Sequence, residues 1–269
     1  MKQPILRRFI ALAALSLAAC SSDGKDTTGG KRIVLATHVE PSAQIAEEFT
    51  TGTKWNVRLD SARLAIGGLY YFDGKPALIA QSALPRRTPL ERLQNFFIGT
   101  AYAHPQHYVA GNALGEMVDA SSVNLFEPAD LADGDGVTGT FRSGRIVLPE
   151  RVVGPAAKDL AGHVATASGV ATQRQKTVYF KVSADLSDIQ ATSPKAEIDG
   201  CVFDEIDVTA DGTVTLTVTP RIWFNLVDFS AIEPGTEDAP TEIVRGDVAH
   251  KAFSLGVAQL TAYHFEYTP

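Results

Sequence analysis

The chain has 269 residues, 45% hydrophobic, 20% charged and 8% aromatic, with 22 glycines, 14 prolines and a formal net charge of −7. That apolar fraction, with no dominant repeat, excludes a collagenous, coiled-coil or wholly disordered chain. The acidic balance disfavours nucleic-acid binding through a basic patch, and two cysteines are too few for a disulfide-built fold.

In chain order, Lys2, Arg7 and Arg8 precede a largely apolar stretch of eleven residues at 9–19, which ends in Leu17-Ala18-Ala19-Cys20. Eleven residues are too few to span a bilayer as a helix, so residues 1–19 read as a secretory signal. The ending resembles the bacterial lipobox, which implies cleavage before Cys20 and acylation of that cysteine. Ser21 follows where an inner-membrane retention signal would resemble Asp, so the expected address is the outer membrane, lipid-anchored, facing the periplasm or the cell surface. Loss of residues 1–19 removes three positive charges and no acid, which takes the net charge from −7 to −10. Residues 20–30 read as a lipidated cysteine with a flexible polar tether, and 31–269 as one domain.

From Lys31 onward the signals are mostly those of strands. Trp55, Val57 and Leu59 alternate with polar residues, as do Val178, Phe180 and Val182, and Val214, Leu216 and Val218. A period of two puts one face on a core and the other in water. Further strand candidates are 32–39, 63–72, 117–126, 139–148, 163–170, 197–208 and 259–267. Short strands punctuated by Gly, Pro, Asp and Asn predict a mainly β fold, an antiparallel β-sandwich, Ig-like or a partly open barrel, with one or two short helices. The helices are expected at 89–98, with Thr88 as N-cap, and at 247–256, with Asp247 as N-cap and His250 on the polar side.

The segment of greatest chemical interest is Tyr102-Ala-His104-Pro-Gln-His107-Tyr108, followed by Glu116 and Met117. Pro105 keeps His104 out of the helical region, so the two imidazoles lie on a loop where both can turn toward one ion. Imidazole suits copper, with zinc as the runner-up. Glu116 or Met117 and a third imidazole, His250 ranked ahead of His38, His163 and His264, would complete the site. Gly134-Asp-Gly136-Val-Thr-Gly139 matches a dinucleotide-binding pattern, but a strand rather than a helix follows it, so it is rejected. Asp130, Asp133 and Asp135 could hold a hard cation, but an Asp-Gly turn is the simpler reading. Cys201, beside a turn at the start of an apolar run, reads as a buried small hydrophobe. His-Glu-x-x-His, Cys-x-x-Cys and Gly-x-Ser-x-Gly motifs are missing from the sequence.

Several pieces together resemble a family: the lipoprotein start, the run Trp-x-Val-x-Leu-x-x-Ala-x-Leu from Trp55 to Leu64, the histidine block at 102–108 with Gly111 and Gly115-Glu116-Met117, and Trp223-Phe224. They look like envelope lipoproteins of myxobacterial type. More distantly they are similar to the copper-binding surface and periplasmic proteins of methane oxidisers and to the methanobactin-associated copper proteins. That resemblance implies a β-rich fold and copper held by two histidines and an oxidised tryptophan, here His104, His107 and either Trp55 or Trp223. The expectation is therefore a non-enzymatic outer-membrane lipoprotein that binds copper around His104, His107, Glu116 and His250, with Cys20 as its lipid anchor. The competing expectation is a metal-free β module docking to an outer-membrane receptor or envelope polymer through aromatics such as Tyr70, Tyr71 and Phe72.

Overall fold

A computed structural model describes residues 26–27, 29–77, 108–191 and 193–269. Cys20, His104, His107 and the helix expected at 89–98 lie outside the described residues. Sixteen strands are described: β1 (Asp26–Thr27), β2 (Gly30–Pro41), β3 (Phe49–Thr50), β4 (Asn56–Ile66), β5 (Gly68–Phe72), β6 (Ala113–Met117), β7 (Ser121–Asn124), β8 (Ala129–Asp130), β9 (Gly134–Val137), β10 (Gly139–Val147), β11 (Ala165–Gln173), β12 (Lys176–Ala184), β13 (Glu197–Val208), β14 (Gly212–Val218), β15 (Thr241–Ile243) and β16 (Tyr263–Thr268). Three short α-helices accompany them, α1 (Ala157–Leu160), α2 (Leu186–Gln190) and α3 (Val248–Val257), with 3-10 turns at Pro220–Phe224 and Leu260–Ala262.

The fold is mainly β, but the expected antiparallel sandwich, Ig-like or a partly open barrel, is not what forms. Strands β2-β14-β16-β13-β10-β5-β6-β9 are hydrogen-bonded in that order, and β9 pairs back onto β2 through Arg32↔Val137 to Leu35↔Gly134, which closes an eight-stranded barrel. A second sheet runs β15-β12-β11-β4, with β3 and β7 both on the far edge of β4. Alternating hydrophobicity specifies a half-buried strand equally well in a sandwich or a barrel. Closure depends on partners far apart in sequence, and two barrel seams, β2–β14 and β13–β16, are parallel.

Glycines and bulges let the wall curve. Register shifts interrupt β10–β13 between Phe141 and Ser143 and between Gly144 and Arg145, where extra residues bend a strand. A Cβ on Gly144 would lie 2.5 Å from the Phe265 ring, and one on Gly115 or Gly136 would lie 2.9 or 2.8 Å from Leu35 Cδ1. These inward positions are thus empty so that Phe265 and Leu35 can fill the lumen. Tyr71, Phe141, Phe203 and Phe265 meet there with ring centroids 5.5–6.0 Å apart, each no more than 2% exposed. These rings fill the lumen as a packed core. Outward positions such as Thr215, Thr217, Glu205 and Asp207 are polar and at least partly exposed, the reverse of a barrel that spans a membrane. No helix among the described residues is long and apolar enough to cross one.

The chain crosses from second sheet to barrel at Gly67, between β4 and β5. A Cβ there would sit 3.0 Å from the backbone of Pro149, so the run expected as one strand at 63–72 is divided between two sheets. Behind the second sheet, Phe180, Phe224, Phe229 and Phe253 form a second aromatic group continuous with the barrel core. Helix α3 matches the expected one, with Asp247 at the N-cap position and Ala249, Ala252, Phe253 and Val257 buried. His250 is buried too, at 7% exposure, and not on a solvent-facing side as expected. Its helix is covered by α2 as well as by β12 and the 220–224 turn.

Strand β8 is held to β2 by a charged pair. His38 Nδ1 lies 2.7 Å from Asp130 Oδ1, and its Nε2 lies 3.0 Å from Glu40 Oε2. The Asp130 hydrogen bond is the main cause of a His38 pKa above its usual 6.5, against a smaller opposing effect of burial. A raised value means the folded state binds the proton more tightly. The contribution to stability is therefore complete below about pH 6.5 and is lost as pH rises through the raised folded value. Replacing His38 with Asn should lower the unfolding midpoint at pH 5.5 and change it little at pH 9. An equal loss at both pH values would show that the protonated pair is not what matters.

Candidate functional site

The described part of the histidine-bearing region is its pair of stems, which leave and re-enter the barrel at one place. After β5 the chain turns at Asp73-Gly74 and runs to Ala77, and it returns over Tyr108 to Asn112 before β6. The stems are stitched together: Gly74 N–H donates to Ala110 O at 2.8 Å, Asp73 N–H to Asn112 O at 3.2 Å, and both the backbone and side-chain amides of Asn112 donate to the Asp73 carboxylate at 2.7 and 2.8 Å. Gly111, at φ +77°, permits this approach, because a Cβ there would lie 2.0 Å from Asp73 Oδ1.

The stems are also pinned to the barrel wall. Tyr108 Oη lies 2.6 Å from Ser143 Oγ, and Ser143 Oγ donates to Gly74 O at 2.7 Å. Ser143 spends its one proton on that carbonyl, so the tyrosine is the donor of the other bond. Burial pushes the Tyr108 phenol above its ordinary range, which keeps it protonated for that role. Both stems meet over Gly200, where a Cβ would lie 2.7 Å from Ala77 Cβ and 3.2 Å from Tyr108 Cδ2. Beside them Arg145 stacks 5.2 Å above the Phe72 ring and is neutralised by Asp199 and by Glu197 at 3.5 Å. The outcome is that both described stems, 73–77 and 108–112, are fastened to each other and to a wall built from β5, β10 and β13.

The remaining expected ligands fall on different layers. Glu116 is exposed on the outer face of β6, opposite Tyr70 on one side and Asp135 on the other. It keeps a carboxylate open to solvent on the strand that the returning stem enters. Met117, the alternative donor, is 1% exposed and belongs to the core. His250 lies on α3 against the second sheet, its Nε2 3.7 Å from Asp188 Oδ2, and Asp188 also accepts from Arg245 Nε at 2.8 Å and from the Asp185 backbone N–H at 2.8 Å. That carboxylate is committed to its own cluster, and His250 is not available to an ion at the barrel wall.

The other described histidines are also partnered: His163 Nδ1 with Asp185 at 2.6 Å and His264 Nε2 with Asp204 at 3.2 Å, besides His38. Apart from the His38–Glu40 contact, each pair joins residues distant in sequence, so no local pattern announces it. Among the described residues no three His, Cys, Asp or Glu side chains cluster as a metal site. Cys201 is fully buried, as expected of a small hydrophobe, with Sγ 3.4 Å from Ile198 O and its thiol pKa pushed up by burial. Both tryptophans are buried: Trp55 packs on Phe229 and donates to Asp228 at 3.1 Å, and Trp223 packs on Phe253.

Comparison with family models, with curated proteins and with solved structures gave no match.

A second feature lies at one end of the second sheet, and sequence reasoning passed over it. The β3–β4 turn and the β11–β12 turn stand side by side, because Asn56 pairs with Thr172 in the β4–β11 register. The Gln173 side-chain amide joins them by donating to the carbonyls of Thr53 at 3.1 Å and Lys54 at 2.9 Å. A cavity of about 590 Å³ lies between them, lined by Thr53, Lys54, Asn56, Thr172, Gln173 and Arg174. It adjoins another of about 450 Å³ that shares Gln173 and Arg174 and reaches Lys176 and Ser230. Lys54 and Arg174 are both in the left-handed backbone region, at φ 71° and 54°. Turn positions of that kind favour Gly or Asn, and a larger side chain costs on the order of 1–2 kcal/mol there.

Proposed function

We propose that the protein is a lipid-anchored envelope protein that captures copper through His104 and His107. The observation that supports this reading is the fastening of the two stems, 73–77 and 108–112, that flank them in the chain. Loops that carry function are held by rigid scaffolds, and the two ends of this segment are fastened to each other and to β10 by buried or close polar contacts from Asp73, Gly74, Tyr108, Asn112 and Ser143. The packed lumen leaves recognition to the outside of the barrel. Neutral imidazoles supply borderline donors that suit copper, and Glu116, exposed on the strand that follows the returning stem, would add an oxygen. The acidic surface raises the local cation concentration. Copper bound to the mature protein should stay near one equivalent after dialysis and should be lost when both His104 and His107 are replaced by Ala. Binding that survives this double replacement counts against the site.

The anchor is part of the same reading. Cys20 and the basic, apolar stretch before it support outer-membrane attachment through acyl chains. Cys20→Ala should leave an unprocessed precursor or release the protein from the membrane fraction; normal processing and retention would refute acylation at Cys20. The competing docking reading keeps little of its original surface: Tyr71 is wholly buried, Phe72 is 7% exposed beneath Arg145, and only Tyr70 is partly open.

A further inference from the structure

We infer that the groove between the β3–β4 and β11–β12 turns binds an acidic saccharide, a sugar chain bearing sparse carboxylate or phosphate groups. This site is separate from the proposed copper site and does not depend on it. Lys54 and Arg174 line the groove together, and Lys176 lines its extension. None of these three cations has a carboxylate within ion-pair distance among the described residues, whereas Arg58, Arg63, Arg142, Arg145, Lys181 and Arg245 do. Lys176 Nζ donates only to the Ser230 backbone carbonyl at 2.7 Å. Lys54 and Arg174 thus line one groove without an ion-paired carboxylate, and Lys176, which also acts electrostatically on Asp228, adds a third cation at that pole of a chain whose overall charge is negative.

The backbone makes the arrangement more specific. Lys54 and Arg174 are two of four described non-glycine residues with positive φ, and both lie at the lip of one groove. A strained residue at a turn tip is explained when its side chain does something that Gly or Asn could not. Here that is to present a cation on each side of a channel whose remaining lining is polar and neutral: Thr53 Oγ1 and Gln173 Nε2 donate to protein carbonyls and Asn56 Oδ1 accepts from Thr50, which leaves the Thr172 hydroxyl, the Asn56 amide nitrogen and Gln173 Oε1 for a ligand. Alternating cations and neutral hydrogen-bonding groups match the carboxylates or phosphates and hydroxyls of an acidic sugar. A densely charged polyanion would be repelled by the rest of the surface. An isolated inorganic anion would leave the hydroxyl and amide lining without a role. The Gln173 amide ties the two turns together, which fixes their relative position before a ligand arrives.

The test is calorimetric titration of the full mature protein at pH 7 in low salt with EDTA present, which removes any part played by copper. The probes are a hyaluronan hexasaccharide, which carries a carboxylate on every second sugar, mannose 6-phosphate, inorganic phosphate and neutral maltohexaose. The hyaluronan hexasaccharide or mannose 6-phosphate should bind, weaken with added salt, and lose at least ten-fold in affinity in Lys54→Asn/Arg174→Asn. The carboxylate and phosphate probes identify which acid is preferred. Asn accepts the left-handed backbone, so the thermal midpoint of this variant should be unchanged or higher, which separates lost binding from lost folding. Maltohexaose binding as tightly as the acidic sugars would overturn the acidic class. Inorganic phosphate matching them would overturn the saccharide. Affinity unchanged in the double variant, or no binding of either acidic sugar, would overturn the site.

Discussion

Replacing Phe203 with alanine should destabilise the protein by about 3–5 kcal/mol, the cost of removing a large aromatic side chain from a core that cannot collapse around the void. Phe203 is 2% exposed and its ring meets Tyr71, Phe141 and Phe265 at 5.8, 5.5 and 6.0 Å. A barrel resists collapse because each wall strand is hydrogen-bonded on both sides, so the wall cannot move inward without breaking ladders. Set against a typical total of 5–15 kcal/mol, the loss is a large share of the stability. Urea unfolding monitored by circular dichroism measures it. The control is Val118→Ala, at 58% exposure, which should change stability by about 0.5 kcal/mol or less. A loss below about 1 kcal/mol for Phe203→Ala would mean that the lumen is not packed as described.

The second large effect concerns copper and pH. Ligation needs neutral imidazole, so protons compete with the ion. With the ordinary pKa of about 6.5, an imidazole is mostly neutral at pH 7.5 and about 3% neutral at pH 5.0. Each ligating histidine therefore weakens apparent affinity about 30-fold between those pH values, and a pair acting together about 10³-fold. Cu(II) titration of metal-free protein should show that drop. Each single alanine variant should retain only weak binding with the shallower pH dependence of one imidazole. A wild-type affinity that changes less than about 30-fold over this range would exclude ligation by two histidines of ordinary pKa.

Strand positions were largely legible because alternation is a local property. Val214-Thr-Leu216-Thr-Val218 reads as a two-faced strand and is one, with its valines and leucine buried. The helix at Val248–Val257 was visible for the same reason, in apolar spacing after an Asp. Barrel closure was not visible. It rests on pairings such as Leu35↔Gly134 and Gly212↔Leu35, about 100 and 177 residues apart, and on glycines whose role is to leave room for Leu35 and Phe265. Tyr70, Tyr71 and Phe72 show the limit clearly. Three aromatics in a row suggested an exposed patch, but Tyr71 points into the lumen and the returning stem covers the wall beside Phe72.

The functional residues divide in the same way. The proximity of His104 and His107 in sequence was plain, but the contacts that fasten the flanking stems join Asp73 to Asn112 and Tyr108 to Ser143 across 39 and 35 residues. His250 looked available because helical periodicity put it on the polar side. What occupies it is Asp188, from a helix 62 residues earlier. The cationic groove escaped notice because Lys54 and Arg174 look like ordinary surface residues until the β4–β11 register sets their turns side by side.

The most direct measurement of the central claim is the metal content of the protein isolated from its native envelope without chelators or an affinity tag, alongside the His104→Ala/His107→Ala variant prepared identically. The account predicts about one copper per wild-type chain and almost none in the variant, at equal yield and with the same unfolding midpoint after metal removal. Equal copper in the two proteins, or wild-type protein that carries none after equilibration with Cu(II) at pH 7.5, would contradict it.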